Sequence, residues 1–463
     1  MTMNRLSSNE RSQQWPQYIA AISSLFLAVS VGLHFGWPSP VKLRLKDLDF
    51  QISKEEVSYI VMISPLGYLV GCPVTAFLLD KIGRKSSILI LVVPQILACL
   101  LIANCTGINM IYAARLSSGI SEGGALTSLP VYIGEISDPR IRGALGMGYG
   151  VAVMFGSVLI NFYGSYMTIK DSAYFSILIP ILFLLTFVWM PESPYFCIMK
   201  GKIENARRSL KRLRWIDDVE EELAQLTLDV QRQISEPKNV KDIFTVRSNL
   251  KAFVILIGIR TLQQFSGGAS LNLYNQYIFQ QASGSISFVA SSVIFHSSLV
   301  IVSCCGSLIV DRTGRKPLLM ISVTGTAISL FVVGVYFSFQ YYKYDVSSLK
   351  WVPITFMVLY TIVRGIGIMP IPSVLAGELF SASVKAKAVG IINIYFALCI
   401  SSSSKLFHWL QDKFGMHVPF FVFVFICVLG IAFLRYCVPE TKGKTLEEIQ
   451  QHLKKVNDQS GIA

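Results

Sequence analysis

The chain has 463 residues, of which 52% are hydrophobic and only 15% are charged, and its mean hydropathy is +0.54. This composition excludes a soluble globular domain and indicates an integral membrane protein, because so much apolar surface could not be buried in one core. The formal net charge of +13 does not call for a nucleic-acid partner, since the distribution of basic residues among membrane loops explains it.

Twelve apolar runs follow one another, and each is long enough to cross about 30 Å of hydrocarbon as a helix. We expect helices because lipid offers the backbone no hydrogen-bonding partner, and the alternating segments of a membrane β-barrel are absent. The predicted spans are 17–37, 57–79, 86–104, 109–133, 144–166, 172–190, 250–280, 286–310, 317–340, 350–376, 388–408 and 418–438.

A long polar stretch after the sixth run divides the chain into two halves. The predicted organisation is an N-terminal segment (1–16), a six-helix bundle (17–194), a linker (195–249), a second six-helix bundle (250–438) and a tail (439–463). Apolar residues at helical spacing predict short helices within the linker, over 202–214 and 219–233. These helices are either a solvated connector or a latch that moves with the bundles.

Basic residues set the expected orientation of the spans. If both termini are cytoplasmic and residues at span ends are counted with the adjoining loop, 29 of the 41 Lys and Arg residues are cytoplasmic, 9 are on the outer side and 3 lie deep within spans. We therefore expect a multi-pass protein of the plasma membrane with both termini in the cytoplasm.

One charged motif occurs twice, each time at the end of a long apolar run. Asp-Lys-Ile-Gly-Arg-Lys fills positions 80–85 and Asp-Arg-Thr-Gly-Arg-Lys fills positions 311–316, a spacing of 231 residues. The glycine permits a tight turn, and the carboxylates of Asp80 and Asp311 can accept hydrogen bonds from helix ends or from Arg84 and Arg315. The motif is either part of a gate or a simple loop anchor, and its recurrence with the carboxylate favours the gate.

Two further motifs repeat at similar spacings of 243 and 248 residues. Their charged members are Glu135, Arg142, Glu192, Glu378, Lys385 and Glu440. Offsets this similar indicate one duplicated half, and such repeats place a substrate site between the halves. We expect a carboxylate of one half to meet a cation of the other when the cytoplasmic face is closed, and to separate from it when that face opens.

Together the motifs resemble the sugar porter family of the major facilitator superfamily. They are Asp80-Lys-Ile-Gly-Arg-Lys, Pro130-x-Tyr-x-x-Glu135-Ile, Arg142-Gly-Ala-Leu-Gly146, Pro191-Glu-Ser-Pro, Gln263-Gln-Phe-Ser-Gly267, Asp311-Arg-Thr-Gly-Arg-Lys, Glu378-Leu-Phe-Ser and Pro439-Glu-Thr-Lys-Gly443. Among the branches, the chain is most similar to insect-type facilitators of trehalose or glucose. The resemblance implies an all-α membrane protein, with twelve helices in two pseudo-symmetric bundles, that carries a neutral sugar by alternating access.

In that family, adjacent glutamines of the seventh span bind sugar hydroxyls, and the resemblance assigns this role to Gln263 and Gln264. An amide both donates and accepts hydrogen bonds, so it matches a hydroxyl without a charge to desolvate. Adjacent helical residues diverge by about 100°, so both can line one cavity only if the helix is irregular, and Ser-Gly-Gly at 266–268 provides the irregularity. The alternative is that neighbouring helices satisfy both amides.

Several positions depart from the family's pattern, which weakens the hexose assignment but leaves the fold assignment unchanged. The departures are Gly150, Tyr195, Ala269, Leu299, Ser373 and Phe396. Asn272, Tyr274 and the run Ser401–Ser404 can compensate for them. The predicted substrate-binding set is Gln263, Gln264, Asn272, Tyr274 and Ser373.

Charged residues inside spans need an explanation, since each costs at least a few kcal/mol near mid-bilayer. The resemblance places Arg115 in the cytoplasmic gate, and for Glu122 we expect an ion pair with an arginine. The alternative is an unpaired arginine, Arg260 or Arg364, that faces the cavity and attracts an anionic substrate. The first span contains no Asp or Glu, whereas proton-coupled relatives carry an acid there, so the resemblance implies facilitated diffusion and not proton symport.

The sequence contains no catalytic triad, metal-ligand cluster or phosphate loop, so we predict neither enzyme activity nor a cofactor or metal. The expected partners are a small sugar and the lipid bilayer, and the predicted functional unit is a monomer. Two other functions stay open: an organic-anion transporter that uses Arg260 and Arg364, and a sugar sensor that does not transport.

Overall fold

The structure, a computed structural model, describes residues 13–45, 48, 50–138, 140–235, 241–380, 382–442 and 448. These residues form helices joined by short turns, and none of them lies in a β-strand. The first half contains α1 (Trp15–Gly36), α2 (Pro38–Arg44), α3 (Lys54–Ile82), α4 (Arg84–Ile90), α5 (Val92–Ala103), α6 (Ile108–Ile136), α7 (Arg142–Tyr166), α8 (Ile169–Ser176) and α9 (Leu178–Phe187).

Four helices follow in the linker region, and nine form the second half. The linker helices are α10 (Pro194–Met199), α11 (Ile203–Arg214), α12 (Glu220–Ser235) and α13 (Asp242–Thr245). The second half contains α14 (Arg247–Phe265), α15 (Gly268–Leu273), α16 (Asn275–Ala282), α17 (Phe288–Thr313), α18 (Arg315–Tyr341), α19 (Val352–Ile366), α20 (Ile371–Leu379), α21 (Ala382–Phe414) and α22 (His417–Cys437).

Helices occupy all twelve predicted spans. Nine stretches of the described chain are long and apolar enough to cross a membrane, and they coincide with the predicted spans other than the fourth, seventh and eighth. The fourth is α6, which carries Arg115 and Glu122; the seventh is divided into α14, α15 and α16; the eighth is α17, whose described apolar part is Phe288–Cys304. The fourth span carries charges, the seventh is interrupted, and the described apolar part of the eighth is short, but a helix is present in all three.

Each half has its own apolar core. In the first half, Leu129 and Phe183 are fully buried, and in the second half Leu256 and Phe420 are. The linker helices pack around a separate small core that includes Leu210. The two bundles are therefore packed units that meet along an interface.

Small residues bring α3 and α6 into backbone contact. A Cβ added to Gly119 would lie 1.8 Å from the carbonyl oxygen of Ser64, and one added to Gly71 would lie 2.1 Å from that of Ile120. Such close approach stabilises helix pairs where lipid supplies no hydrophobic drive.

The linker helices lie at one end of the bundle, which we call the linker face; the other end is the opposite face. Arg214 at the end of α11 donates from Nη1 to the carbonyl oxygen of Ile136, the last residue of α6, at 3.0 Å. Its guanidinium also pairs with Glu222 of α12 at 2.6 Å. The linker is thus attached to the first half.

Candidate functional site

A cavity of about 150 Å³ lies between the two halves, near the middle of the spans. The first half contributes mainly apolar and aromatic side chains, and the second half contributes the amides and a guanidinium group. The polar lining residues are Tyr68, Tyr149, Gln263, Gln264, Asn272 and Arg364.

A break between α14 and α15 positions the two glutamines. Helix α14 ends at Phe265, and Gly267 adopts φ +87°, a left-handed conformation that glycine tolerates best. A Cβ on the following Gly268 would lie 2.3 Å from Nη2 of Arg364. The irregularity expected at 266–268 is present, and both Gln263 and Gln264 line the cavity.

The protein itself occupies much of the hydrogen-bonding capacity of these amides. Oε1 of Gln263 accepts from Nη1 of Arg260 at 2.8 Å, and its Nε2 donates to the carbonyl oxygen of Met369 at 3.2 Å. Oε1 of Gln264 accepts from the N–H of Ala269 at 3.1 Å, while its Nε2 donates to no described residue. Nε2 of Gln264 is therefore the amide group most available to a ligand hydroxyl.

Arg364 stabilises the break. Its Nη2 donates to the carbonyl oxygen of Gln263 at 2.6 Å, and its Nη1 donates to Oγ of Ser266 at 3.1 Å and to the hydroxyl of Tyr360 at 2.9 Å. The last carbonyls of a helix carry partial negative charge and lack partners within the helix, so a guanidinium there satisfies both needs.

An equivalent arginine serves the first half. Arg115 donates from Nη1 to the carbonyl oxygen of His34 at 2.7 Å, next to the break between α1 and α2, and from Nε to that of Ile60 at 3.1 Å. It precedes Arg364 by 249 residues, which matches the repeat spacing. Each half therefore uses an arginine to bind the end of its first helix.

The assignment of Arg115 to the cytoplasmic gate is wrong. It lies on the same helix as the predicted gate residue Glu135 but 20 residues earlier, which is about 30 Å along the axis. The helix carries the two residues to opposite ends of the bundle, a separation that the motif alone does not reveal.

The predicted direct ion pair between Glu122 and an arginine is not formed among the described residues, although Arg115 interacts electrostatically with the carboxylate. The carboxylate is buried and accepts hydrogen bonds from Oγ of Ser64 at 2.9 Å and from the hydroxyl of Tyr68 at 3.2 Å, with no ion pair to a described cation. Two hydroxyls on α3 replace the expected guanidinium. Because Tyr68 also lines the cavity, Glu122 sets the orientation of one wall residue.

Arg260 lies one turn before the glutamines on α14. Its Nη2 is 3.4 Å from Oγ of Ser373, and the centre of its guanidinium is 4.8 Å from the ring centre of Phe396. Its Nε is buried without a hydrogen-bond partner among the described residues, and no described carboxylate forms an ion pair with it.

The remaining predicted binding residues divide into two groups. Asn272 lines the cavity and donates to the carbonyl oxygen of Gly268 at 2.6 Å. Tyr274 is buried against Phe407, with a ring-centre distance of 5.2 Å, and is not part of the lining; nor is Ser373, which is exposed. Of the five predicted binding residues, Gln263, Gln264 and Asn272 line the cavity, and Tyr274 and Ser373 do not.

At the linker face of the first half, the repeated motifs form one network. Arg84 binds the carboxylate of Glu135 through Nε and Nη2 at 2.8–3.1 Å, and the Ser193 hydroxyl donates to the same carboxylate. Glu192 accepts from the N–H groups of Arg84 at 3.0 Å and Lys85 at 3.1 Å, where α4 begins.

The second half repeats this network with equivalent residues. Arg315 binds Glu378 at 2.8 and 3.2 Å, and the Thr441 hydroxyl donates to Glu378 at 2.6 Å. Glu440 accepts from the N–H groups of Arg315 and Lys316, both at 3.0 Å, where α18 begins. The duplicated motifs thus build two copies of the same helix-start cap.

The turn glycines of both motifs adopt left-handed φ angles, +102° at Gly83 and +98° at Gly314. A Cβ at Gly83 would lie 2.3 Å from Oε2 of Glu192. The glycine therefore supplies both the turn and the space for the capping carboxylate.

Burial alone would raise the pKa of Glu440, but four main-chain N–H groups, those of residues 442, 315, 316 and 441, hold it below its ordinary value. Hydrogen bonds to the ionised form favour that form. The cap is therefore built around a carboxylate, not a carboxylic acid.

Other predicted gate residues take minor positions in this state. Asp80 is exposed, 3.8 Å from Arg84, and Arg142 is exposed and donates to the carbonyl oxygen of Ser137. The side chains of Asp311 and Lys385 lie outside the described residues. Glu135 and Glu378 pair within their own halves, and the described side chains show none of the pairing between halves that we expected for the closed cytoplasmic face.

Polar contacts join the two halves toward the opposite face. Nε2 of Gln276 donates to Oγ of Ser165 at 2.7 Å and to the carbonyl oxygen of Asn161 at 3.1 Å. Near the ends of α3 and α21, Lys54 pairs with Asp412 at 3.0 Å. Sequence reasoning missed this seal, because an isolated amide or serine in a span carries no sign of its partner.

The linker-side parts of α6, α7 and α21 border open space. A Cβ added to any of five glycines there would meet no heavy atom within 4 Å; they are Gly134, Gly143, Gly146, Gly150 and Gly390. Toward the opposite face, polar contacts join the two halves, whereas on the linker side these glycines border open space.

Known proteins resemble this chain over nearly its whole length. A family model described as "Sugar (and other) transporter" matches residues 10–453. The facilitated trehalose transporter Tret1 of Bombyx mori is 32% identical over 449 residues, 96% of this chain and 88% of that protein. A facilitated trehalose transporter Tret1-2 homolog of Drosophila simulans is 32% identical over 443 residues, 94% of this chain and 91% of that protein.

Among solved structures, the partially occluded inward-open conformation of the xylose transporter XylE from E. coli has a TM-score of 0.79. The alignment covers 93% of this chain and 99% of that one at 20% identity. At this identity, the likeness establishes the shared fold of two six-helix bundles.

Proposed function

The chain belongs to the sugar transporter family, and we propose that it carries a neutral sugar, a hexose or trehalose, across a membrane by facilitated alternating access. Its similarity to insect trehalose transporters over nearly the whole chain supports this substrate class. Transport of this kind needs no chemical step on the substrate.

The observation that carries the proposal is the cavity between the halves, with Gln264 presenting a free amide N–H donor and Asn272 beside it. Neutral amides suit hydroxyl groups and carry no charge that must be desolvated. The present volume of about 150 Å³ is below the ~300–1,000 Å³ typical of ligand sites, so binding of a disaccharide requires the halves to move apart.

Alternating access follows from the two faces. In the present state the contacts of Gln276 close the opposite face, while the Arg84 and Arg315 networks stay within their own halves. Rocking of the bundles would break the first set and bring the two networks together. Because basic residues concentrate at the linker face, we assign that face and both termini to the cytoplasm. We propose the plasma membrane as the location of the protein.

Counterflow in reconstituted vesicles tests the substrate. Vesicles that contain the purified protein are loaded with unlabelled trehalose or glucose, and uptake of the same sugar in labelled form is followed. L-glucose is the stereochemical control. Gln264→Ala should raise the KM for the transported sugar by about five- to thirtyfold, because a lost hydrogen bond of roughly 1–2 kcal/mol corresponds to that factor.

The matched control is Gln280→Ala, an exposed glutamine on α16 whose side chain makes no hydrogen bond to a described residue. It should leave KM within twofold of the parent. An unchanged KM in Gln264→Ala, with normal membrane abundance, would place the sugar elsewhere.

A further inference from the structure

Two guanidinium groups and no described acid lie at the second-half side of the site: Arg364 lines the cavity, and Arg260 lies next to it, in contact with the lining residues Gln263 and Phe396. Arg364 is buried and Arg260 is half-buried, and neither forms an ion pair with a described carboxylate. An arginine at the centre of a span costs about 2.5–3.5 kcal/mol on insertion scales, so it normally has a compensating partner. The partner of each arginine therefore needs to be identified.

The charge of Arg364 has a partner within the fold. Its three strong hydrogen bonds end on the carbonyl oxygen of Gln263, the Ser266 hydroxyl and the Tyr360 hydroxyl. Two of these groups lie at the C-terminal end of α14, where the helix dipole supplies about half a negative charge. Arg364 is accordingly a structural clamp.

Arg260 has no such compensation. It lies inside α14, five residues before the helix ends, and its contacts are the neutral Gln263 amide, a distant Ser373 hydroxyl and the Phe396 ring. Its Nε has no hydrogen-bond partner in the part of the chain that the structure describes. The guanidinium thus keeps both its net charge and unused donor capacity.

The position of Arg260 relates it directly to the sugar site. Residues three and four apart on a helix are neighbours at about 5–6 Å, so Arg260 lies beside Gln263 and Gln264 on the same face. That separation is within the reach of one monosaccharide. A ligand with hydroxyls on the glutamines would present a substituent of its ring to the guanidinium.

We propose that Arg260 forms a carboxylate subsite next to the glutamines and that the transporter accepts a sugar acid, a hexose bearing one carboxylate, alongside neutral sugar. Guanidinium and carboxylate form strong charge-assisted hydrogen bonds, and the incoming anion supplies the missing counter-charge. The inference rests on the proposed sugar site and adds a charged substrate class to it.

Glucose and glucuronate, which differ only at C6, provide the test in reconstituted vesicles. Glucuronate should inhibit glucose counterflow and should itself enter. Because glucuronate carries one negative charge, an imposed inside-positive potential should drive its accumulation in the vesicles. The ratio of inside to outside concentration should rise tenfold for about 59 mV. Glucose accumulation should not respond to the potential.

Variants locate the subsite. Arg260→Gln should lower the ratio of glucuronate to glucose uptake at least tenfold, and Arg260→Lys should restore part of it. Arg364→Gln is the matched control: it should lower both uptakes by a similar factor and leave their ratio within twofold. If Arg260→Gln does not reach the membrane, the ratio in Arg260→Lys decides whether the guanidinium matters.

Three outcomes overturn the inference. Glucose transport without any glucuronate inhibition or uptake refutes the subsite and leaves the proposed function standing. A glucuronate ratio that is insensitive to both Arg260 variants, or a preference for glucose 6-phosphate over glucuronate, refutes the carboxylate assignment. Absence of transport and binding for every sugar refutes the proposed function together with the inference.

Discussion

Replacing Gln276 with alanine should weaken the seal at the opposite face and shift the resting conformation. The side chain reaches Ser165 at 2.7 Å and the Asn161 carbonyl oxygen at 3.1 Å, and both bonds cross between halves. At about 0.5–1.5 kcal/mol each, their loss disfavours the present state by about 1–3 kcal/mol, because water can satisfy the same groups once the face opens. The population open toward the opposite face should rise about five- to 150-fold.

A buried cavity position reports this shift. In an Ala269→Cys background, the new thiol lies in the cavity wall and should react with a membrane-impermeant reagent applied from the opposite face only when that face opens. Gln276→Ala should accelerate this labelling by the factor above, after subtraction of the reactivity of the native cysteines.

The control variant is Gln280→Ala, one turn further along α16, whose exposed side chain joins no described partner. It should label at the parental rate. Equal labelling in Gln276→Ala and its parent, at equal membrane abundance, would show that these hydrogen bonds do not hold the opposite face closed.

Three further variants address packing, the clamp and the cap. Gly119→Ala should reduce thermal stability and membrane abundance, since its Cβ would lie 1.8 Å from the Ser64 carbonyl oxygen. Gly107→Ala is the control and should reduce neither, because no heavy atom lies within 4 Å of its Cβ. Equal stability of the two variants would contradict the close contact between α3 and α6. Arg364→Lys should lower the kcat/KM for every sugar by a similar factor, because it loosens the end of α14 without touching one substrate; a change in substrate ranking would instead indicate direct binding. Glu440→Gln should destabilise the protein by about 1 kcal/mol at neutral pH. Because the folded pKa of Glu440 is lowered, this contribution is present above its unfolded pKa near ~4.3 and is lost as the pH falls through the folded value, so the difference in Tm from the parent should shrink in acid; a pH-independent difference would argue against a carboxylate cap.

The two networks at the linker face show which contacts the sequence motifs predict and which they do not. Their spacing indicated that Arg84 and Arg315, and likewise Glu135 and Glu378, are equivalent, and the structure places them in equivalent bonds. The motifs did not indicate that each carboxylate binds the arginine of its own half. That choice depends on the packing of α4 against α6 in the first half and of α18 against α20 in the second.

The charged residues within spans illustrate the complementary limit. Composition required Arg115 and Glu122 to have partners, but the described residues do not form the expected direct ion pair. Arg115 instead binds the carbonyl oxygen of His34 near a helix break and that of Ile60 in α3, and Glu122 binds two hydroxyls. A main-chain carbonyl freed by a break is not visible as a residue type.

The amino-acid sequence by itself determined the twelve helical spans, the two related halves and the glutamine pair on an interrupted helix, because hydropathy and short-range spacing follow directly from the order of residues. Only the tertiary structure decided which face is closed, which groups the arginines bind, and that Tyr274 and Ser373 lie outside the cavity lining. The physical reason is that side-chain partners depend on the rotation of each helix about its own axis. Hydropathy does not specify that rotation, and partners such as Lys54 and Asp412 are 358 residues apart.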